Sequence, residues 1–89
     1  MRTKIKEYLD QKAVVVDVRS PEEFRGGHNK GSINIPVQIL EDRLDELDKE
    51  KPLIVCCASG GRSASALRIL KHHGFQHVLD AGPWQNVGL

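Results

Sequence analysis

The sequence is poor in the features that would point to a polymer or a bilayer as partner. One Trp, one Tyr and two Phe in 89 residues do not supply the aromatic platforms on which single-strand binders stack bases. Neither sign of charge dominates: thirteen Lys and Arg against twelve Asp and Glu leave a formal net charge of +1. Along "EDRLDELDKEK" (41–51) the signs alternate instead of forming a block. No nucleic acid and no membrane are therefore expected as partners. No apolar run approaches the roughly 20 residues of a membrane span. "MRTKIKEYLD" is charged where a signal peptide would be apolar, so a cytoplasmic location is expected. The two cysteines are adjacent, which leaves only a strained vicinal bridge as an internal disulfide; reduced thiols follow. Repeats, low-complexity tracts and linkers are missing too. The expectation is one domain over 1–89, burying roughly 60–65% of its extended-chain surface.

What is present alternates between strand and helix signals. Ile5, Tyr8 and Leu9 share one helical face, predicting a helix over 2–11. "AVVVDV" (13–18) is β-branched with little polar alternation, the pattern of a strand buried on both faces. Ser20, Pro21 and Glu23 coincide as N-cap, first helical residue and capping-box acid of a short helix that Gly26 and Gly27 end. "SINIP" predicts a brief strand, and apolar residues at 37, 40, 44 and 47 one stripe of a helix. "PLIVC", residues 62–73 and "HVLD" read as strand, helix and last strand, with Gly74 as the helix stop. The fold class is therefore α/β: a parallel sheet of about four strands covered by helices on both faces. Ligands of such sheets sit beyond the carboxyl ends of the strands.

"VCCASGGRS" (55–63) lies at such an end. A cysteine that closes a strand before a small-residue loop and a helix start meets unpaired N–H groups and the positive end of the helix dipole, both of which favour thiolate. Gly60 and Gly61 permit the backbone to curl into an anion-binding nest, and Arg62 adds a charged fork of donors at its rim. Side chains alternate along a strand, so Cys56 is expected to pack inside as a small hydrophobe and Cys57 to face the nest. Adjacent cysteines do not make the spaced ligand pair of a metal site. Gly74 interrupts the helix that would align His73 with His77. No metal and no cofactor are expected.

Over nearly its whole length the chain resembles a rhodanese homology domain of the single-domain sulfurtransferase type. "VVDVRSPEEFRGGHNKGSINIP" (15–36) is similar to the family's signature after its early strand. "IVCCASGGRSASALRILKHHGF" (54–75) is similar to its active-site loop and following helix. The resemblance implies that Cys57 carries the transferred sulfur as a persulfide. The Cys-x4-Arg loop from Cys57 to Arg62 resembles the sulfurtransferase loop; the tyrosine-phosphatase type has one residue more, enough to surround a phosphate. The chain departs from the family in three places. It starts at the first helix without the usual preceding strand, so four strands are expected where five are common; Asn29 replaces an apolar residue; and Gly82-Pro83 stands where a Gly-Gly pair precedes the Trp.

The expected function is sulfur transfer from a small anionic donor such as thiosulfate to a thiol or protein acceptor. Cys57 is the nucleophile, and Ala58, Ser59, Gly60, Gly61, Arg62 and Ser63 bind the sulfur and attract the donor. The alternative is a sulfur-carrying or regulatory protein-binding module of the same fold with little turnover. Asp17 and Arg19 read as a structural network reaching Glu22, Glu23 or the loop backbone, His28 as a hydrogen-bonded loop residue, and His72, His73 and His77 as solvent-facing. Trp84 reads as a lid over the core edge.

Overall fold

The computed structural model describes residues 2–88. Helix α1 (Arg2–Asp10) buries Ile5 and lays Tyr8 and Leu9 beside it. It stops where Lys12 turns left-handed (φ 64°) and the N–H groups of Lys12 and Ala13 return to the carbonyls of Leu9 and Tyr8. Four strands follow: β1 (Val14–Asp17), β2 (Ile33–Asn34), β3 (Leu53–Cys57) and β4 (Val78–Pro83). They form one parallel sheet in the order β2-β1-β3-β4. Every residue of β3 is buried, as a central strand covered on both faces requires.

Alternation along β3 divides the core. Leu53, Val55 and Cys57 face one side with Val16, Ala66, Leu70, Leu40 and Phe75. Ile54 and Cys56 face the other with Ile5, Val15, Ala81 and Val87. The first side is covered by α3 (Gly61–His72) and the segment Val37–Glu46, the second by α1 and a 3-10 turn, Trp84–Val87. Each fully buried Leu or Phe in these layers stabilises the fold by about 1.5–3 kcal/mol. Helix α3 ends as expected: Gly74 is left-handed (φ 89°), and Phe75 turns back into the core with its N–H on the Leu70 carbonyl.

Two expected elements differ. The stripe 37-40-44-47 lies not on an α-helix but on two 3-10 turns merged across Arg43, whose φ of −124° and ψ of 18° break the helix. Pro36 offers no capping side chain, and the Arg43–Glu46 fork (2.6 and 2.8 Å) favours the i,i+3 spacing of a 3-10 turn. The last strand runs past "HVLD" to Pro83 by a register shift between Val55 and Cys56, which leaves Ala81 without a partner. Pro83 closes the strand, where its lack of an N–H is tolerated. The shift brings Gly82 (φ 71°) beside the loop that follows β3: a Cβ on Gly60 would lie 3.9 Å from the Gly82 Cα.

Candidate functional site

Strand β3 delivers Cys57 to the carboxyl edge of the sheet, and α3 begins four residues later. Gly60 bridges them as the N-cap with φ 111° and ψ −18°, a backbone state that side chains other than glycine's oppose. This turn aims two main-chain donors at one atom. The N–H of Gly60 lies 3.0 Å from Cys57 Sγ and that of Ser63 lies 3.3 Å from it. Both belong to the N-terminal groups that a helix leaves unpaired. The Ser63 hydroxyl completes the contact. As a thiol, Cys57 donates to Ser63 Oγ at 3.4 Å while Ser63 donates to the Gly60 carbonyl at 3.1 Å.

Burial alone would raise the Cys57 thiol. The Ser63 hydroxyl and the amides of Ser63, Gly60 and Ser59 oppose that, and the balance lowers its pKa below the ordinary 9.0. A thiolate can only accept, so the Ser63 hydroxyl stabilises it by donating to the sulfur in place of the Gly60 carbonyl. Among the described residues no hydrogen bond joins Ala58, Gly61 or Arg62 to Sγ, so the ring of donors is smaller than the whole-loop nest that the sequence suggests. Cys57 is also fully buried, with 0% of its surface exposed.

Ser63→Ala removes one donor from the thiolate. Its titration, followed by ultraviolet thiolate absorbance, is expected to move up toward the ordinary thiol value. Alkylation of Cys57 at neutral pH is expected to slow about tenfold, the scale of one hydrogen bond to a charged group. The deficit narrows as pH rises, because both proteins become thiolate above the higher midpoint. An unshifted titration would remove Ser63 from the account.

Cys56, one residue back, has the opposite environment. It points into the second core layer, where burial first and the Asp17 carboxylate next push its thiol up to about 12. The two sulfurs lie on opposite faces of the sheet, and both cysteines are free.

Arg62, expected as a charged fork at the rim, has a partner there: it forks the Glu23 carboxylate at 2.6 and 3.0 Å. The sequence places Glu23 in a capping box, and it does that as well: Glu23 Oε1 accepts from the Ser20 amide and hydroxyl at 3.0 Å each, and the Glu23 N–H donates to Ser20 Oγ at 3.2 Å. Helix α2 (Pro21–Arg25) is thereby clamped to the first turn of α3. Arg62 first and Ser20 next hold the Glu23 carboxyl at about 2. That contribution to stability is fully present above the unfolded value of 4.5, declines as pH falls below it, and is gone once pH has fallen through about 2.

Arg19 is likewise engaged, though not with Glu22 or Glu23. Its guanidinium and its own amide hold Asp17 at 2.8–3.1 Å, it donates to the Gly27 carbonyl at 2.7 Å, and it stacks 4.8 Å from the Trp84 ring. Asn29 is buried and donates to the Trp84 carbonyl at 2.9 Å. Trp84 therefore does cover the core edge, held from both sides. His28 is a loop residue bonded at 2.7 Å to the Phe24 carbonyl and stacked on the Phe24 ring. His72 and His77 are exposed, but His73 is half-buried and meets Glu41 at 2.9 Å. Among the described residues no group of three or more His, Cys, Asp or Glu converges as a metal site would require.

Comparison with known proteins narrows what such an arrangement belongs to. The family model for the rhodanese-like domain matches residues 1–82. The thiosulfate sulfurtransferase GlpE of Ectopseudomonas mendocina is 43% identical over 72 residues, covering 79% of this chain and 66% of that protein. The putative sulfur carrier protein YrkF of Bacillus subtilis is 35% identical over 74 residues, covering 83% and 40%. The chain thus spans less than two thirds of either curated relative. The solved structure of the human single-domain sulfurtransferase TSTD1 superposes with a TM-score of 0.83 at 26% identity, covering 94% of this chain and 88% of that one.

Proposed function

The chain belongs to the rhodanese-like domain family, and from that premise we propose that it is a sulfurtransferase working through a persulfide on Cys57. One observation carries the reading: a single sulfur at the end of β3 receives the amides of Gly60 and Ser63 and lies against the Ser63 hydroxyl. In the first step the Cys57 thiolate attacks the outer sulfur of a donor. With thiosulfate the S–S bond breaks, sulfite leaves with the bonding electron pair, and Cys57 keeps the outer sulfur as Cys–S–S⁻. In the second step an acceptor nucleophile attacks that sulfur; cyanide leaves as thiocyanate and a thiol leaves as a persulfide, and the Cys57 thiolate is restored. The amides are in place before charge develops on the sulfur, so the loop reorganises little.

The test is the intact mass after incubation with thiosulfate. A gain of one sulfur, ~32 Da, that disappears on adding cyanide is the expected result, because only a reactive thiolate forms that adduct. No gain with any sulfane donor would sink the proposal.

The complete burial of Cys57 favours a second reading, a sulfur carrier that docks a partner and turns over slowly. A donor or acceptor reaches the sulfur only when the loop or the neighbouring side chains move aside. The carrier reading predicts stoichiometric loading with transfer accelerated by a protein acceptor. The enzyme reading predicts many turnovers with small molecules alone.

A further inference from the structure

We infer that Glu23 is a positioning residue that sets donor selectivity: by occupying Arg62 it turns the site away from dianionic donors such as thiosulfate and toward persulfides, which bring at most one negative charge. The inference rests on the sulfur-transfer reading above and deepens it.

The argument starts from what is left to bind an anion. Arg62 is the cation of the loop, and both its terminal nitrogens already donate to Glu23. The carboxylate is itself fixed by the Ser20 amide and hydroxyl, so it does not swing away at little cost. Arg19, the other arginine beside this turn, is committed to Asp17 and the Gly27 carbonyl. The cationic charge next to Cys57 is thus matched by carboxylates, and the donors still aimed at Sγ are neutral amides and a hydroxyl. A thiosulfate ion entering here meets no net positive charge, approaches a thiolate of its own sign, and must give up water from a sulfonate bearing most of its charge. To gain Arg62 it has to displace a bidentate partner. A persulfide needs none of this: the Cys57 thiolate attacks its outer sulfur, the S–S bond breaks, and the donor departs as a thiolate while Cys57 keeps the outer sulfur and its proton. Removing the Glu23 charge leaves Arg62 unmatched, and one unit of site charge acting on the two charges of a dianion at on the order of 6 Å, in a solvated dielectric, amounts to roughly a tenfold effect on binding.

The variant is Glu23→Gln, which retains a side chain competent for the capping box while releasing Arg62 from a charged partner. Persulfide formation on Cys57 is timed by intact mass with two donors, thiosulfate and hydroxyethyl persulfide. In the unmodified protein kcat/KM is expected to favour the persulfide. In Glu23→Gln the thiosulfate value is expected to rise about tenfold, mostly through KM, with the persulfide value changing by less than about twofold. The unmodified protein supplies a second measurement: its thiosulfate rate should rise as salt screens the repulsion from the thiolate, whereas in Glu23→Gln that rise should be lost or reversed, because salt also screens the freed guanidinium. If Glu23→Gln slows both donors in proportion, or leaves their ratio and salt dependence unchanged, Glu23 only holds α2 and the selectivity inference fails while sulfur transfer stands. If neither donor loads the unmodified protein, both fail.

Discussion

Cys57→Ser is expected to leave the protein folded and to lower sulfur loading by at least roughly 10³-fold, to the level of the uncatalysed background. The substitution exchanges Sγ for Oγ among the same donors. The Gly60 and Ser63 amides, now 3.0 and 3.3 Å from the sulfur, find an oxygen acceptor, so no buried polar group is orphaned. What is lost is ionisation and polarisability: the helix-start donors that make a thiolate accessible do not bring an aliphatic hydroxyl within reach of neutral pH. Cys56→Ala is the matched control. Its thiol is pushed up to about 12 in the opposite core layer. Removing it is expected to cost about 1 kcal/mol in stability and to leave loading near that of the unmodified protein. The pair is read by intact mass after thiosulfate or persulfide and by thiocyanate formation. A sulfur adduct that survives Cys57→Ser, or one that vanishes in Cys56→Ala, would move the chemistry off position 57.

How far these residues could be read in advance depended on how local their determinants are. Ser20, Pro21 and Glu23 declare a helix start within four residues, and the structure contains that capping box. The β-branched run at Val14–Asp17 and the buried run at Leu53–Cys57 declare central strands, and period-two alternation was enough to part Cys56 from Cys57. The partner of Arg62 was not legible. Glu23 lies 39 positions away, and the local capping-box role accounts for it completely, so nothing in its neighbourhood advertises a second bond. Asn29 stands out in the sequence only as a polar residue in place of an apolar one; its bond to the Trp84 carbonyl, 55 positions away, has no local sign. In Val37–Glu46 the spacing was read correctly and the helix type was not, because 3-4-3 spacing of apolar residues suits both an α-helix and paired 3-10 turns.

Asp17→Asn is expected to be the most destabilising conservative change in the chain, by about 3 kcal/mol, the cost of stripping the partner from a buried charge. Asp17 is 0% and Arg19 5% exposed. The carboxylate accepts from Arg19 N, Nε and one terminal nitrogen within 3.1 Å. An amide in its place keeps one acceptor and turns an NH2 group toward donors. For a domain of this size the loss is a large share of the roughly 5–15 kcal/mol available, and the thermal midpoint should fall by roughly 12–24 °C. The damage should reach the site. Asp17 pairs in register with Cys56 on β3, Arg19 leads into Ser20 and α2, and its guanidinium holds the Gly27 carbonyl and the Trp84 face. Loosening the pair therefore loosens the platform on which Glu23 meets Arg62. Combining Asp17→Asn with Arg19→Met removes the stranded charge, and the double variant should recover part of the loss. Recovery stays incomplete because the Gly27 carbonyl is then without its donor. Denaturant unfolding of the four proteins measures the coupling: Asp17→Asn and Arg19→Met effects that simply add would show that the two side chains do not stabilise one another, despite their contact.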